Sequence, residues 1–220
     1  MSVSVKICGL SEPGGLAAAI EAGAQMVGFV FFEKSPRHIS LQTAQKLGSL
    51  VPPHVAKVAL IVDASDDEIS GIIDALKPDY LQAHGNETPE RIAQIKKIFG
   101  KKLIKAIGVA DGSDIKRARD YIDICDLILL DAKAPKDLVD ALPGGNGITF
   151  DWTLLTGHKP KAEFMLSGGL NADNLETAIK LTKPQWVDVS SGVETAPGKK
   201  SEDLIRQFIK TAKSVCHGQG

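Results

Sequence analysis

Apolar residues along the chain gather into short runs separated by longer mixed stretches. Eight runs stand out: SVKIC, MVGFVFF, AKVALIVD, DYLQAH, KLIKAIG, DLILLD, EFMLSGG and WVDVSSG. They are short and mostly rich in β-branched residues, and they recur at the spacing of βα units. The stretches between them mostly carry a helical period. Ile69, Ile72, Ile73 and Leu76 fall at i, i+3, i+4 and i+7 and make one apolar stripe. Further on, Thr88 suits an N-cap, Pro89 the first helical position, and Ile92, Ile95 and Phe99 continue a stripe. Asn171 suits a cap ahead of Leu175, Ala178 and Ile179, and the last helix carries Leu204, Ile205, Phe208, Ile209 and Ala212. Eight strands alternating with helices predict an α/β chain, a single (β/α)8 TIM barrel over residues 1–220, with a doubly wound open sheet as the alternative. The stretch from Asp131 to Lys161 fits least well, being rich in Gly and Pro with only a short helical piece after Asp151.

Composition narrows the class. The chain has 220 residues, 43% of them hydrophobic, enough to bury a full core. A formal net charge of −1 sets up no global field for nucleic acid or an anionic membrane, so neither is expected as a partner. The opening MSVSVKI lacks the apolar stretch of a signal peptide, and no run reaches the roughly 18 apolar residues of a membrane span. Cys8, Cys125 and Cys216 are odd in number and form no CxxC, which argues against a disulfide framework or zinc knuckle and for a reducing cytoplasm.

A barrel of this kind works from the C-terminal ends of its strands. Those ends hold Cys8-Gly9, the loop FEKSPRH, Asp63, His84-Gly85, Asp131, Ser167-Gly168-Gly169 and Ser190-Ser191-Gly192. Each has a plainer reading. Cys8 also fits a small core residue, Asp63 a helix cap, His84 a hydrogen-bonded structural residue, and Arg37 a surface loop. The glycine loops also fit ordinary turns, but SGG after the seventh strand with SSG after the eighth is the arrangement that offers backbone N–H groups to a phosphate. A side chain at Gly168 is then expected to act chiefly on substrate binding. A planar guanidinium such as that of Arg37 suits a carboxylate and can pair with both its oxygens.

Asp131 shares a strand face with Leu127 and Leu129. In those apolar surroundings its pKa is expected to rise, so that it can give a proton; a cap or salt bridge is the alternative. Lys6 shares a face with Cys8, and a buried lysine needs an anion. Asp188 stands at the matching depth of the eighth strand, so a Lys6–Asp188 ion pair is expected beneath the site. The ammonium is expected to favour the thiolate of Cys8.

The ordered set KICGL, GFVFFEKSPRHIS, LQAHG, LLDA…GGNGITFDW, LSGGLNADN and DVSSGVE…PGKK resembles the phosphoribosylanthranilate isomerases of tryptophan biosynthesis, over nearly the whole chain. The resemblance implies a (β/α)8 enzyme without cofactor or metal. It would carry out the Amadori rearrangement of N-(5'-phosphoribosyl)anthranilate to 1-(2-carboxyphenylamino)-1-deoxyribulose 5-phosphate. It implies Cys8 as general base, Asp131 as general acid and Arg37 beside the anthranilate carboxylate. Gly168, Gly169, Ser190, Ser191 and Gly192 would hold the phosphate, and His84 joins them as a candidate substrate-binding residue. The rim bearing Arg37 is expected opposite the phosphate loops. The implied partner is a small phosphorylated substrate, and the implied assembly a monomer or homodimer. Ala83, His38 and Asn146 depart from the family pattern without touching the acid or base.

Three other readings stay open. A metal-dependent sugar-phosphate epimerase would need His and Asp ligands on several strand ends, and only His84 stands in such a place. A histidine-pathway isomerase would be expected to end strand 1 in an aspartate. A non-catalytic phosphate-binding barrel would have no use for Cys8 and Asp131 together.

Overall fold

The computed structural model describes residues 3–133, 144–158 and 163–217. Eight parallel strands form the centre: β1 (Ser4–Cys8), β2 (Met26–Phe31), β3 (Ala56–Ile61), β4 (Tyr80–Ala83), β5 (Lys102–Val109), β6 (Leu127–Ala132), β7 (Phe164–Leu166) and β8 (Trp186–Val189). They pair in sequence order, and β8 closes on β1 with Lys6 opposite Asp188. That pairing removes the open-sheet alternative.

The helices around the barrel are α1 (Pro13–Ala22), α2 (Leu41–Ser49), α3 (Asp66–Leu76), α4 (Pro89–Phe99), α5 (Gly112–Arg117), α6 (Arg119–Ile122), α7 (Leu154–His158), α8 (Leu175–Thr182) and α9 (Glu202–His217). Local chemistry fixes where they begin. Ser65 and Glu68 form a reciprocal capping box that starts α3, and Ile69, Ile72 and Leu76 are then buried. Thr88 caps α4 by accepting from the Arg91 N–H, and Pro89 opens the first turn. Asn171 caps the turn that leads into α8: its Oδ1 accepts from the N–H groups of Asp173 and Asn174 and its carbonyl from the N–H of Leu175, where the helix proper starts. Asp63 caps no helix: its carboxylate accepts from the Asn86 N–H at 2.7 Å and ties the β3 end to the β4 loop. The short helix expected after Asp151 is α7, while much of the Gly- and Pro-rich stretch before it, residues 134–143, lies outside the described residues.

The main core packs the outer strand faces against the helices. Inside the barrel is a smaller apolar cluster of Met26, Val58, Ile104, Ala106, Leu127, Leu129 and Met165. The rest of the interior is polar and buried, with Lys6, Gln82, Asp131, Ser167 and Asp188. One feature carries no periodic signal in the sequence: after β8, a single 3-10 turn (Ser191–Val193) leads into an antiparallel hairpin of β9 (Glu194–Ala196) and β10 (Lys199–Lys200).

Candidate active site

Cys8, Arg37, His84, Asp131, Gly168, Gly169, Ser190 and Ser191 all line one pocket at the C-terminal end of the barrel. Gly192 is not among its lining residues. It lies behind the rim, where a Cβ would run into the carbonyl of Leu170, so its lack of a side chain lets the β7 and β8 loops touch.

Cys8 ends β1 and is 3% exposed. Its neighbour across the sheet is Gly28, where a Cβ would stand 3.0 Å from Sγ and 3.2 Å from Lys6 Cε. A larger residue at 28 would take the space of the thiol. Beneath Cys8, Lys6 Nζ donates to Asp188 Oδ1 at 2.7 Å, and Ser167 Oγ donates to Oδ2 at 3.0 Å. The expected ion pair is present. Burial pulls the Lys6 pKa down, but the charge and hydrogen bond of Asp188, helped by Cys8, outweigh it and the net shift is upward. The ammonium does favour the thiolate of Cys8, as expected, but it does not set the sign of the net shift. Burial pushes the thiol up, and the lowering by Lys6 and, more weakly, Lys200 only partly offsets it, while Asp188 adds to the rise. The ammonium limits a cost of burial; it does not make Cys8 an acidic thiol.

Asp131 is 4% exposed and lies on the interior face of β6, as Leu127 and Leu129 do. Its Oδ1 accepts from the Ala132 N–H at 2.9 Å, and its Oδ2 lies 3.2 Å from His84 Nε2. Gln82 Nε2 lies 3.1 Å from the other ring nitrogen, His84 Nδ1. With the amide donating there, Nδ1 accepts and Nε2 carries the proton that faces Asp131. The loop of His84 is braced from below. Lys105 Nζ donates to Glu87 Oε2 at 2.7 Å and to the Gly85 carbonyl at 2.8 Å, and Glu87 accepts from the N–H groups of Asp63 and Gly85.

Arg37 is 5% exposed, so it is no surface loop arginine. Its Nε and Nη2 donate to Glu194 Oε1 and Oε2 at 2.7 and 2.8 Å, and Nη2 also reaches the Gly145 carbonyl at 3.2 Å. The edge expected to take both oxygens of a substrate carboxylate is thus held by Glu194. Arg37 also lies beside the β8 loop rather than across from it: the Cβ position at Gly9 is 2.7 Å from Arg37 Cδ and 3.1 Å from Ser190 Oγ.

The β7 loop turns through Gly168 and Gly169 with φ of 86° and 60°, a left-handed pair that favours glycine at both positions. Four residues with a place in the site have no role in the sequence reading: Gly144, Gly145, Glu194 and Lys200. A Cβ at Gly144 would stand 2.5 Å from Asp131 Oδ2 and 2.6 Å from His84 Nε2, so a bare backbone here packs directly on the pair. The run GGNG was the available signal for the first two. Among the described residues no group of three or more His, Cys, Asp or Glu side chains could hold a metal ion. None of the described helices is long and apolar enough to cross a membrane.

Fold and site together define a parallel-barrel enzyme with a buried thiol and a carboxylate facing one pocket, an arginine on its rim and a glycine turn beside them. Residues 5–211 match the family model described as "PRAI: N-(5'phosphoribosyl)anthranilate (PRA) isomerase". The chain is 53% identical over 213 residues to a protein of Parvibaculum lavamentivorans named N-(5'-phosphoribosyl)anthranilate isomerase, covering 97% of this chain and 99% of that one. A protein of the same name from Rhodopseudomonas palustris is 52% identical over 215 residues, covering 98% and 100%. Among solved structures, phosphoribosyl anthranilate isomerase from Thermotoga maritima superposes with a TM-score of 0.86 at 38% identity, covering 96% and 99%. A structure of such an isomerase in complex with reduced 1-(o-carboxyphenylamino)-1-deoxyribulose 5-phosphate superposes with a TM-score of 0.84 at 37% identity, again covering 96% and 99%. The chain belongs to the phosphoribosylanthranilate isomerase family.

Proposed function

We propose that this chain catalyses the isomerisation for which its family is named, with Asp131 as general acid and Cys8 as general base. The substrate is N-(5'-phosphoribosyl)anthranilate, and the step belongs to tryptophan biosynthesis. The observation that carries the role assignment is the meeting of Cys8 and Asp131 in one pocket, although β1 and β6 are far apart in the chain.

Asp131 protonates the ring oxygen of the ribose, the C1'–O bond breaks, and an iminium forms between C1' and the anthranilate nitrogen. That cation acidifies the C2' proton, which Cys8 removes as thiolate. The resulting enolamine tautomerises to the ketone. One acid and one base suffice. The Nε2–H of His84 points at Asp131 Oδ2 and holds that carboxyl in place when it has given up its proton. Gly168, Gly169, Ser190 and Ser191 anchor the phosphate, with Gly192 shaping the loop behind them. Anchoring the far end turns binding energy into orientation at the reacting carbons. Arg37 takes the aromatic carboxylate. No step calls for a cofactor or metal. The reaction is assigned to the cytoplasm, where a reducing compartment keeps Cys8 a free thiol. A Thermotoga maritima phosphoribosylanthranilate isomerase is described as dimeric, and a solved structure is of mutually generated monomers of it. The barrel of this chain contains both proposed catalytic groups, so one copy is proposed to suffice.

The test follows the fluorescence of freshly made phosphoribosylanthranilate on adding enzyme, with and without a chelator. Wild type is expected to consume the substrate in both conditions. Cys8→Ala and Asp131→Asn are expected to lose about 10²–10⁴-fold in kcat while still binding a product analogue. Near-normal kcat in either variant removes that residue from the mechanism.

A further inference from the structure

Glu194 and Lys200 stand in the segments DVSSGVE and PGKK, and the chemistry above gives them no task. The hairpin brings them together: Lys200 pairs with Glu194 in the β9–β10 register. Lys200 Nζ donates to Glu194 Oε1 at 2.6 Å, to the Ser190 carbonyl at 2.9 Å and to Ser190 Oγ at 3.2 Å. All three ammonium protons are used. Glu194 is equally committed, with Oε1 shared by Arg37 Nε and Lys200 Nζ, and Oε2 taken by Arg37 Nη2 and the Gly198 N–H. The side chains of Arg37, Glu194 and Lys200 are 6%, 4% and 4% exposed.

Two cations share one anion; burial pulls the Lys200 pKa down against the raising effect of Glu194, and with Lys200 as ammonium the cluster holds one unbalanced positive charge in a nearly dry place. Within it only Arg37 Nη1 has no hydrogen-bond partner among the described residues, and Arg37 lines the pocket. A buried surplus charge calls for an anion. A guanidinium held along one edge can offer only what remains.

We propose that Glu194, itself held by Lys200, is a positioning residue for substrate recognition: it clamps Arg37 by the Nε–Nη2 edge so that Nη1 meets the aromatic carboxylate. This inference rests on the proposed function. The clamp also ties the two ends of the substrate together, because Lys200 grips the loop at Ser190 proposed to hold the phosphate. A glutamate is the right group for the task. It is long enough to reach across from the hairpin, and its two oxygens match the guanidinium fork. An asparagine or glutamine would leave two buried cations with no anion between them.

The experiment is a double-mutant cycle read with two substrates, N-(5'-phosphoribosyl)anthranilate and the corresponding aniline compound, which lacks the carboxylate. Wild type, Arg37→Ala, Glu194→Gln and the double variant are compared by kcat/KM, with KM and kcat separated. Glu194→Gln is expected to lower kcat/KM on the anthranilate substrate about 10- to 100-fold, since misplacing a substrate-positioning group by about 1 Å can cost about 10²-fold. The loss should lie mostly in KM, be small on the aniline substrate, and largely vanish in the Arg37→Ala background. A purely structural Glu194 would hurt both substrates alike and add its full effect to Arg37→Ala, and that result overturns the clamp. Should Glu194→Gln fail to fold, Glu194→Asp carries the same test. It keeps the charge but cannot reach both nitrogens, so the preference for the carboxylated substrate should fall part of the way, and an unchanged preference overturns the proposal. A wild type inert towards the anthranilate substrate overturns the functional reading itself.

Discussion

Replacing Lys6 by Met separates what the buried ion pair does for stability from what it does for the thiol. Lys6 is fully buried, and its ammonium meets Asp188 at 2.7 Å. Met fills most of the same space and removes the charge. Asp188 is then left buried with the Ser167 hydroxyl as its remaining side-chain partner. Breaking one side of a buried pair costs about 3–5 kcal/mol, whereas exposed pairs give about 0–1 kcal/mol. A ceiling applies, because the stranded carboxyl can take up a proton. Protonating an ordinary aspartate at pH 7 means crossing about three pH units at about 1.36 kcal/mol each, or about 4 kcal/mol. The expected loss is therefore about 3–4 kcal/mol, which at about 2–4 °C per kcal/mol for a chain of this size lowers Tm by roughly 6–16 °C. Denaturant and thermal unfolding read this directly. The double variant Lys6→Met/Asp188→Leu should regain most of the stability, since an apolar pair can replace a buried ionic one. It should not regain activity, because Cys8 has lost the cation that offsets its burial. A Lys6→Met loss below about 1 kcal/mol would refute the argument, and so would full activity in the double variant.

Three further outcomes follow from the site. Burial raises the Cys8 pKa above its ordinary value, so the thiolate is scarce below it, and inactivation by iodoacetamide, which consumes the thiolate, should speed up about tenfold per pH unit on the approach to that pKa; a rate flat from neutral to alkaline pH would show that the thiol is not held above its ordinary value. Inorganic phosphate or sulfate should compete with substrate, but Gly168→Val should do more than raise KM: its φ is 86°, and a Cβ there would stand 2.5 Å from the Ala132 nitrogen and 3.1 Å from Asp131 Oδ1. Both kcat and stability should fall, and a change confined to KM would show that the loop relaxes without moving the acid.

Most of the fold was legible because its signals are local. The eight strands carry β-branched runs, and the capping of α3 and α4 is written within four residues of each start. Asn171 shows the same locality, capping the turn before α8 through the N–H groups two and three residues on. The β9–β10 hairpin was not legible, since strands of three and two residues are too short to show a period. In the site, Cys8 and Asp131 could be found from their places at strand ends. Glu194 could not, because its partner Arg37 is 157 positions away in sequence. The sign of the thiol shift was also out of reach: a nearby lysine and burial push opposite ways, and only the depth of burial says which prevails.

Counting charge separates the buried ionic groups into two kinds. Lys6 with Asp188 is neutral, and so is Lys105 with Glu87; every one of these side chains is 5% exposed or less. The first lies beneath Cys8, and the second ties down the loop that carries His84. A neutral, fully bonded pair has no further call for a counter-ion, so it can hold a shape and tune a neighbour without attracting a ligand. Arg37, Lys200 and Glu194 differ in carrying one excess positive charge, with Arg37 facing the pocket. Net neutrality would make that cluster a third brace. Its surplus suits it to meet an anion at the rim, and the proposed clamp by Glu194 leaves Arg37 Nη1 for that contact.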